Sequence, residues 1–599
     1  MTKITVRLSL YAATALSALC FAQTASAQSA DAQINQIEQQ IKALQSQLTH
    51  VRHDLAARDS QVKAAQADVA RARADAQASA AQADAARARV DAQAAQVAAS
   101  QIKLPAGFKS GTGSNSKGLD LGLGASNPMI KSPRSDFTSL VALSGNPSGE
   151  INGDGGPNGT FHIGGITIQL GGFIEAAGIY RSRNEVTSVG TNFSAIPLSQ
   201  SVQAHEGEFR ETSQQSRFSM LMKGDIDPTE HVAAYAELDL LGAAGTANSN
   251  ESNSYTPRLR QAYMSYDNDT YGVHLLAGQA WSLVTMSRLG VTPRQEDIPL
   301  TIDAQYVPGF SWARQPQFRI AKDFDNQKFW LAASLESPQA TFSVGPNGTG
   351  SDSGTANFNN PGISQLTPGQ AFSNDIAPDV VVKVAADPGY GHYEVYGLAR
   401  FLQDRVSVLG NGHNNTRLAG GIGGGTILPL IPNALSFELH GLAGYGIGRY
   451  GSGQLPDATI SASGAPSPLP EVQAMAGLVG HPAKAVDLYT YVGTEQIGSK
   501  SFNVDGKAFG FGNPLFSNAG CDVELSTAPC TADTSGLVQG TIGGWWRFAS
   551  GAYGTVEGGA QYSYTRRTIF KGVTAPGGGG NAATDENVFL VSLRYLPFQ

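Results

Sequence analysis

Eight positions stand out for what their side chains could do together: Arg217, Arg258, Arg260, Arg314, Arg319 and Arg400, with Glu296 and Asp297. A guanidinium is always charged, and its planar fork grips a carboxylate with two parallel donors, so arginine suits small carboxylates better than lysine does. A ring of fixed cations in a narrow, low-dielectric passage attracts an anion and replaces part of its hydration, and carboxylates across the passage supply an opposing field. The competing role for each arginine is structural, an ion pair that holds a loop or a subunit. Catalysis finds no support. The ten histidines are scattered, without H-E-x-x-H or paired-ligand spacing. Ser114–Lys117 matches S-x-x-K, but it lies in glycine-rich sequence without companion motifs. The expectation is a protein that is not an enzyme and uses no cofactor and no metal.

Positioning such residues requires strands. From about Gly164 onward, segments of about ten residues alternate two faces, a length that suits a tilted bilayer crossing. Ile168, Leu170, Ile174 and Ala176 share one face while Gln169, Glu175 and Arg181 share the other. Phe218, Met220 and Met222 oppose Arg217 and Ser219; Leu435, Phe437 and Leu439 oppose Ser436, Glu438 and His440. Tight connections (Asp225–Pro228, Asp267–Thr270, Asp323–Gln327, Asp387–Gly389) alternate with long polar ones, as periplasmic turns and extracellular loops do. The polar face holds many charges, and an arginine turned to lipid at mid-membrane costs about 2–4 kcal/mol, so the alternation that hides it is required. The pattern predicts an all-β transmembrane antiparallel β-barrel of about 16 strands. Fifteen segments are clear, and Glu206–Thr212 is a candidate for one more, because single-chain bacterial barrels have even strand numbers. One face is irregular: Leu259, Gln261 and Tyr263, opposite Arg258 and Arg260, make a poor lipid face and suggest a subunit contact.

Between the strand Leu275–Trp281 and the strand Gln317–Lys322 runs a connection of about 35 residues, well beyond ordinary loop length. It carries aromatics and both signs of charge, among them Arg288, Arg294, Glu296, Asp297, Asp303, Phe310, Trp312 and Arg314. Its composition predicts a loop folded into the barrel, narrowing a channel. The resulting waist would have Arg258, Arg260, Arg314 and Arg319 on the wall and loop base, with Glu296 and Asp297 opposing.

The chain before the barrel divides into three. Residues 1–27 read as a secretory signal, with Lys3 and Arg7, an apolar core Leu8–Phe21, and Ala25-Ser26-Ala27 for cleavage. Residues 28–104 form an N-terminal α-helical coiled coil: Ile34, Ile37, Ile41, Leu44, Leu48, Val51 and Leu55 step by three and four, and the heptad continues to Val97. Ile at both core positions of the first heptad leans toward a trimer. Residues 105–160, rich in Gly, Ser, Asn and Pro, read as a linker, and 161–599 as the barrel.

Composition agrees. Only 15% of residues are charged, glycine is abundant at 70 and the net charge is −8, with no basic tract for nucleic acid. Cys521 and Cys530, close together in a polar loop, read as a disulfide in an oxidising compartment. Trp281, Trp330, Trp545, Trp546 and Tyr595, at strand ends, are candidates for interfacial girdles or for ordinary packing. The final segment Asn587–Gln599 resembles the aromatic-ended last strand of outer-membrane proteins, except that Pro597 interrupts it and Phe598 falls out of phase with Tyr595.

The whole layout, with the barrel opening ITIQLGGFIEAAGIYRS and the motifs RLRQAYMSY (Arg258–Tyr266), LLAGQAWS (Leu275–Ser282), ARQPQFR (Ala313–Arg319) and VDLYTYVGTEQ (Val486–Gln496), resembles the DcaP-like trimeric outer-membrane porins. The resemblance implies a sixteen-stranded barrel, a homotrimer, a periplasmic coiled coil and passage of small, often anionic solutes. The expected function is a passive outer-membrane channel for small hydrophilic solutes that prefers anions such as small carboxylates. The partners expected are outer-membrane lipid, two further copies of the chain and peptidoglycan through the coiled coil. The competing expectation is a trimeric structural or adhesion protein that tethers the membrane through that coiled coil.

Overall fold

The computed structural model describes residues 159–242, 255–350, 354–361, 371–531, 533–574 and 583–599, together with Lys42 and Gln45, both helical. The expected signal, coiled coil and nearly all of the linker lie outside the described residues.

Sixteen antiparallel strands form one sheet that closes on itself. In chain order they are β1 (Ile166–Arg181), β2 (Glu208–Thr212 continued by Arg217–Asp227), β3 (Glu230–Asp239), β4 (Arg258–Asn268), β5 (Val273–Trp281), β6 (Arg314–Phe324), β7 (Phe329–Glu336), β8 (Asp379–Ala386), β9 (His392–Val408), β10 (Asn411–Ile431), β11 (Leu435–Tyr445), β12 (Pro470–Ala483), β13 (Val486–Ile497), β14 (Thr534–Gly551), β15 (Gly554–Ile569) and β16 (Ala583–Leu596). Each pairs with its chain neighbours, and β16 returns to β1 through Tyr595↔Ile174 to Val588↔Arg181. Closure leaves no edge strand. Glu208–Thr212 is therefore not a separate crossing. It pairs with Ala177–Arg181, and Arg217–Gly224 pairs with the other half of β1, so the two pieces are one strand interrupted at residues 213–216.

Alternation sets the two faces. Along β6, Phe318 and Ile320 are 72% and 52% exposed while Gln317 and Arg319, which alternate with them, are 3% and 7% exposed. Leu331, Leu335, Val382, Val384, Ile422, Val492, Ile542, Phe589 and Leu593 continue the apolar exterior. A soluble protein does not present so large an apolar surface to water, whereas a bilayer is the solvent it fits. Trp546 and Tyr595 belong to this exterior, but Trp281, Trp330 and Trp545 are buried inside and are not girdle residues.

The irregular face of β4 has a local cause. Glu237 pairs with Gln261 and Leu238 with Leu259, which leaves Arg260 as the extra residue of a β-bulge. The bulge shifts the phase: Arg260, Gln261, Tyr263 and Ser265 point inward, while Leu259 and Met264 point outward. The lipid face is thus sound, and the irregularity no longer argues for a subunit contact. At the C-terminus the ladder ends with Leu596, and Phe598 packs beside Gly159, where the chain enters the barrel.

Candidate functional site: a loop across the lumen

The connection between β5 and β6, Ser282–Ala313, turns into the barrel. Its stem is held on the near side by Ser282, whose hydroxyl donates to Glu336 at 2.7 Å, and by the Leu283 N–H on the same carboxylate at 2.8 Å. It then crosses to strands on the far side. Leu300 N–H donates to the Tyr491 hydroxyl (3.2 Å), Ile302 N–H to Gln561 Oε1 (2.6 Å) and Gly309 N–H to Glu495 (2.8 Å), while Trp545 Nε1 donates to the Leu300 carbonyl (2.8 Å). The approach is close enough to demand glycine on both sides. A Cβ on Gly309 would collide with the Ala474 backbone, and one on Gly493 with the Pro308 carbonyl. Ile298, Ile302, Val307 and Phe310 pack against Met475, Val479, Tyr489, Tyr491 and Trp545 from the wall.

One basic group of side chains gathers beside the loop. Arg258 binds Asp239 with two donors (3.0 and 2.7 Å), and Arg260 reaches both Glu237 and Asp239, the latter at 3.2 Å. Arg217 lies 3.9 Å from Glu237 and over the Phe173 ring. The Arg314 guanidinium stacks 4.5 Å from Trp281 and 5.1 Å from Trp312, with no carboxylate in ion-pair range among the described residues. Arg217, Arg258 and Arg260 thus meet Glu237 and Asp239, and Arg314 stands beside them on its two indole rings. Loop residue Tyr306 lies in their field: burial pushes its hydroxyl up, but Arg260, Arg217 and Arg314 outweigh burial and leave it below the usual tyrosine range.

The other expected residues sit elsewhere. Arg319 donates to the carbonyls of Trp281 (2.6 Å) and Val291 (3.3 Å) and to Gln317 (3.1 Å), so it ties down the loop base. Glu296 lies in the field of Arg319, with burial holding its carboxyl above the usual range. Asp297 faces Arg288 at 3.5 Å, and burial raises it to about 6. Neither acid opposes the basic group; both bind the loop's own surroundings. Arg400 is buried farther along the barrel, between Asp379 (3.1 Å) and Asp457 (2.7 Å), and fastens outer loops. Of the other arginines, Arg547 pairs with Asp487 and Arg417 is exposed on the β9–β10 hairpin.

Several participants escaped the sequence. Arg594 pairs with Glu175 (2.9 Å) and stacks on Phe173 and Trp545, extending the basic wall onto β16. Lys383, Glu394 and His392 form a buried network whose Glu394 also takes the Ser287 N–H, a second anchor for the loop. Glu438 on β11, Glu471 on β12 and Glu495 on β13 are buried on the far side of the barrel, where Glu495 takes the Gly309 N–H of the loop, and Glu557 on β15 lies across from Arg594 in the β15–β16 register. β4 and β12 are eight strands apart in a ring of sixteen, hence diametrically opposed. Cys521 and Cys530 are joined in the β13–β14 loop.

No protein-family model and no curated protein sequence matches the chain. Among solved structures it is similar to the outer membrane channel DcaP of Acinetobacter baumannii, with a TM-score of 0.50 and 14% identity over 74% of this chain and 100% of that one. OmpT, an outer membrane protein of Vibrio cholerae, covers 73% of this chain and 99% of its own at 11% identity and a TM-score of 0.37. An anion-selective porin from Comamonas acidovorans covers 72% and 99% at 10% identity and a TM-score of 0.38. The DcaP likeness is one of fold, and the fold is that of a sixteen-stranded, porin-like barrel.

Proposed function

We propose that the chain is an outer-membrane porin, a passive, non-enzymatic channel that passes small hydrophilic solutes and prefers anions, small carboxylates among them. The observation that supports this most is the loop Ser282–Ala313 spanning a closed barrel that is apolar outside, beside a wall that gathers Arg217, Arg258, Arg260 and Arg314. Arg217, Arg258, Arg260 and Arg314 are the residues assigned to meet the solute. Arg319, Glu296 and Asp297 position the loop, and Arg400 braces the outer loops. A passing anion is drawn to this basic side and shed without a fixed binding step. Three copies are proposed to associate, gathered by the coiled coil of residues 28–104 in the periplasm, where its surface is available to peptidoglycan.

The test is conductance of the purified full-length protein in planar bilayers under a tenfold KCl gradient. Stepwise insertion with a reversal potential of chloride sign is expected. A folded, membrane-inserted protein without step conductance would refute the channel, and a potassium-sign potential would refute the anion preference. Mass measurement of the detergent complex, giving three chains or one, decides the assembly.

A further inference from the structure

A second cavity, apart from the basic wall, opens among the outer loops. It has a volume of about 370 Å³, within the range of small-molecule sites. Segments remote in sequence build it: the β1–β2 loop through Ser194, the β7–β8 loop through Phe342, the β11–β12 loop through Pro456, the β13–β14 loop through Phe511, and Arg567 of β15. Its floor is firm, since Phe511 packs with Phe193, Leu455, Leu469, Ile497 and Leu537 in one buried cluster.

Two charged side chains line this cavity and do not pair with each other. Arg567 gives Nε to the Thr534 hydroxyl (2.9 Å) and Nη1 to the Ile196 carbonyl (2.6 Å), which fixes the plane of the guanidinium and leaves Nη2 without a partner among the described residues. The Asp533 carboxylate accepts the Gly512 N–H at 2.7 Å through one oxygen, and its other oxygen takes no bond among the described residues. Arg258 and Arg183, also half-buried, each meet a carboxylate, Asp239 and Asp585, whereas Arg567 has none in ion-pair range among the described residues. A fixed cation and a fixed carboxylate held apart in one cavity, between phenylalanine rings, are complementary to a molecule that carries both opposite charges and an apolar side.

The geometry points to an outer-mouth binding site for a zwitterion with an apolar side chain, an α-amino acid in its simplest form: carboxylate on Arg567, ammonium on Asp533, side chain against Phe342 and Phe511. Such a site lies apart from the waist and concentrates a neutral solute that the basic wall alone would not attract. Burial raises the Asp533 carboxyl to about 6, so the site holds its ammonium partner at neutral pH and releases it as Asp533 protonates in acid.

Calorimetric titration of the full-length protein in detergent decides the matter, using L-phenylalanine, 3-phenylpropanoate and 2-phenylethylamine at pH 7.5. L-Phenylalanine is expected to bind at least tenfold more tightly than either singly charged analogue. Asp533→Asn should weaken L-phenylalanine at least tenfold while leaving 3-phenylpropanoate unchanged, and Arg567→Gln should weaken both. Heat-modifiable migration in gels shows that each variant retains its barrel. Equal binding of the three compounds, no saturable binding, or folded variants that bind L-phenylalanine as the parent does would each overturn the assignment. Because the readout is binding, it is independent of whether the barrel conducts.

Discussion

Replacing Arg314 with Gln separates charge from architecture at the basic wall. Arg314 rests on Trp281 and Trp312 with no carboxylate in ion-pair range among the described residues, so its removal strands no buried acid. The stability lost is the stacking, about 0.5–2 kcal/mol. For an anion passing ~8 Å away, one elementary charge contributes about 0.5 kcal/mol at a dielectric constant near 80 and about 2 kcal/mol near 20. Salt at 0.1 M, with a Debye length of about 10 Å, removes roughly half of that. The chloride-over-potassium permeability ratio of Arg314→Gln should therefore fall by a factor of roughly 1.5 to 5, read from the reversal potential of single channels, with conductance steps otherwise regular. Arg260→Gln is the contrast. It leaves Glu237 and Asp239 short of a buried partner, a loss of about 3–5 kcal/mol, and should show first as a lower barrel melting temperature. An unchanged permeability ratio in a folded Arg314→Gln channel would refute the claim that this wall sets selectivity.

Arg319→Met should release the carbonyls of Trp281 and Val291, about 1 kcal/mol for each bond, and give noisier, larger single-channel currents with little change in selectivity; quiet currents with altered selectivity would contradict its role as a loop tie. Asp297, raised to about 6 by burial, destabilises the packed loop whenever it is ionised. Its folded pKa lies above the ordinary 3.8, so the packed loop gains stability as pH falls through 6 and the gain is complete near 4, with a ceiling of roughly 3 kcal/mol. Hydrogen exchange of the loop amides should slow between pH 7 and 5, after correction for intrinsic rates, and Asp297→Asn should flatten that response. Arg400→Met leaves Asp379 and Asp457 buried against each other's field and should cost about 3–5 kcal/mol, seen as earlier unfolding in heat while selectivity is retained.

Where the chemistry depends on one strand at a time, the sequence was a sufficient guide. Alternation gave inward Arg217 and Arg319, chain length gave the long fifth connection, and two nearby cysteines gave the bridge. What it could not give depends on pairs of strands. Arg260 faces inward beside Gln261 only because β4 carries one residue more than β3 across from it, and a bulge leaves no mark on a period-two pattern read along a single strand. Whether an arginine is balanced is likewise a property of its neighbour: Asp239 stands beside Arg258 through register, nineteen positions away in sequence. Glu237 and Asp239 were visible as inward acids two residues apart, matched to Arg258 and Arg260, and that pairing was the available signal. The interruption at residues 213–216 misled by making one bent strand look like two segments.

Register and loop docking together account for the apolar residues on the inner face of this barrel. Met475, Val479, Val588 and Leu590 point inward, against the rule that lumens are polar, and each lies in the cluster that receives the loop. Inward apolar residues therefore mark the footprint of the docked segment. Burying a single Ile, Val or Phe side chain contributes about 1.5–3 kcal/mol. Ile298, Ile302, Val307 and Phe310 together thus hold the loop more firmly than any single ion pair around it could. Displacing the whole loop would expose all four at once, so the waist of this barrel is a fixed feature. Charge changes at Asp297 or Arg319 are then expected to alter the loop's fluctuation about that seat, and charge changes on the basic wall to alter which ions pass it.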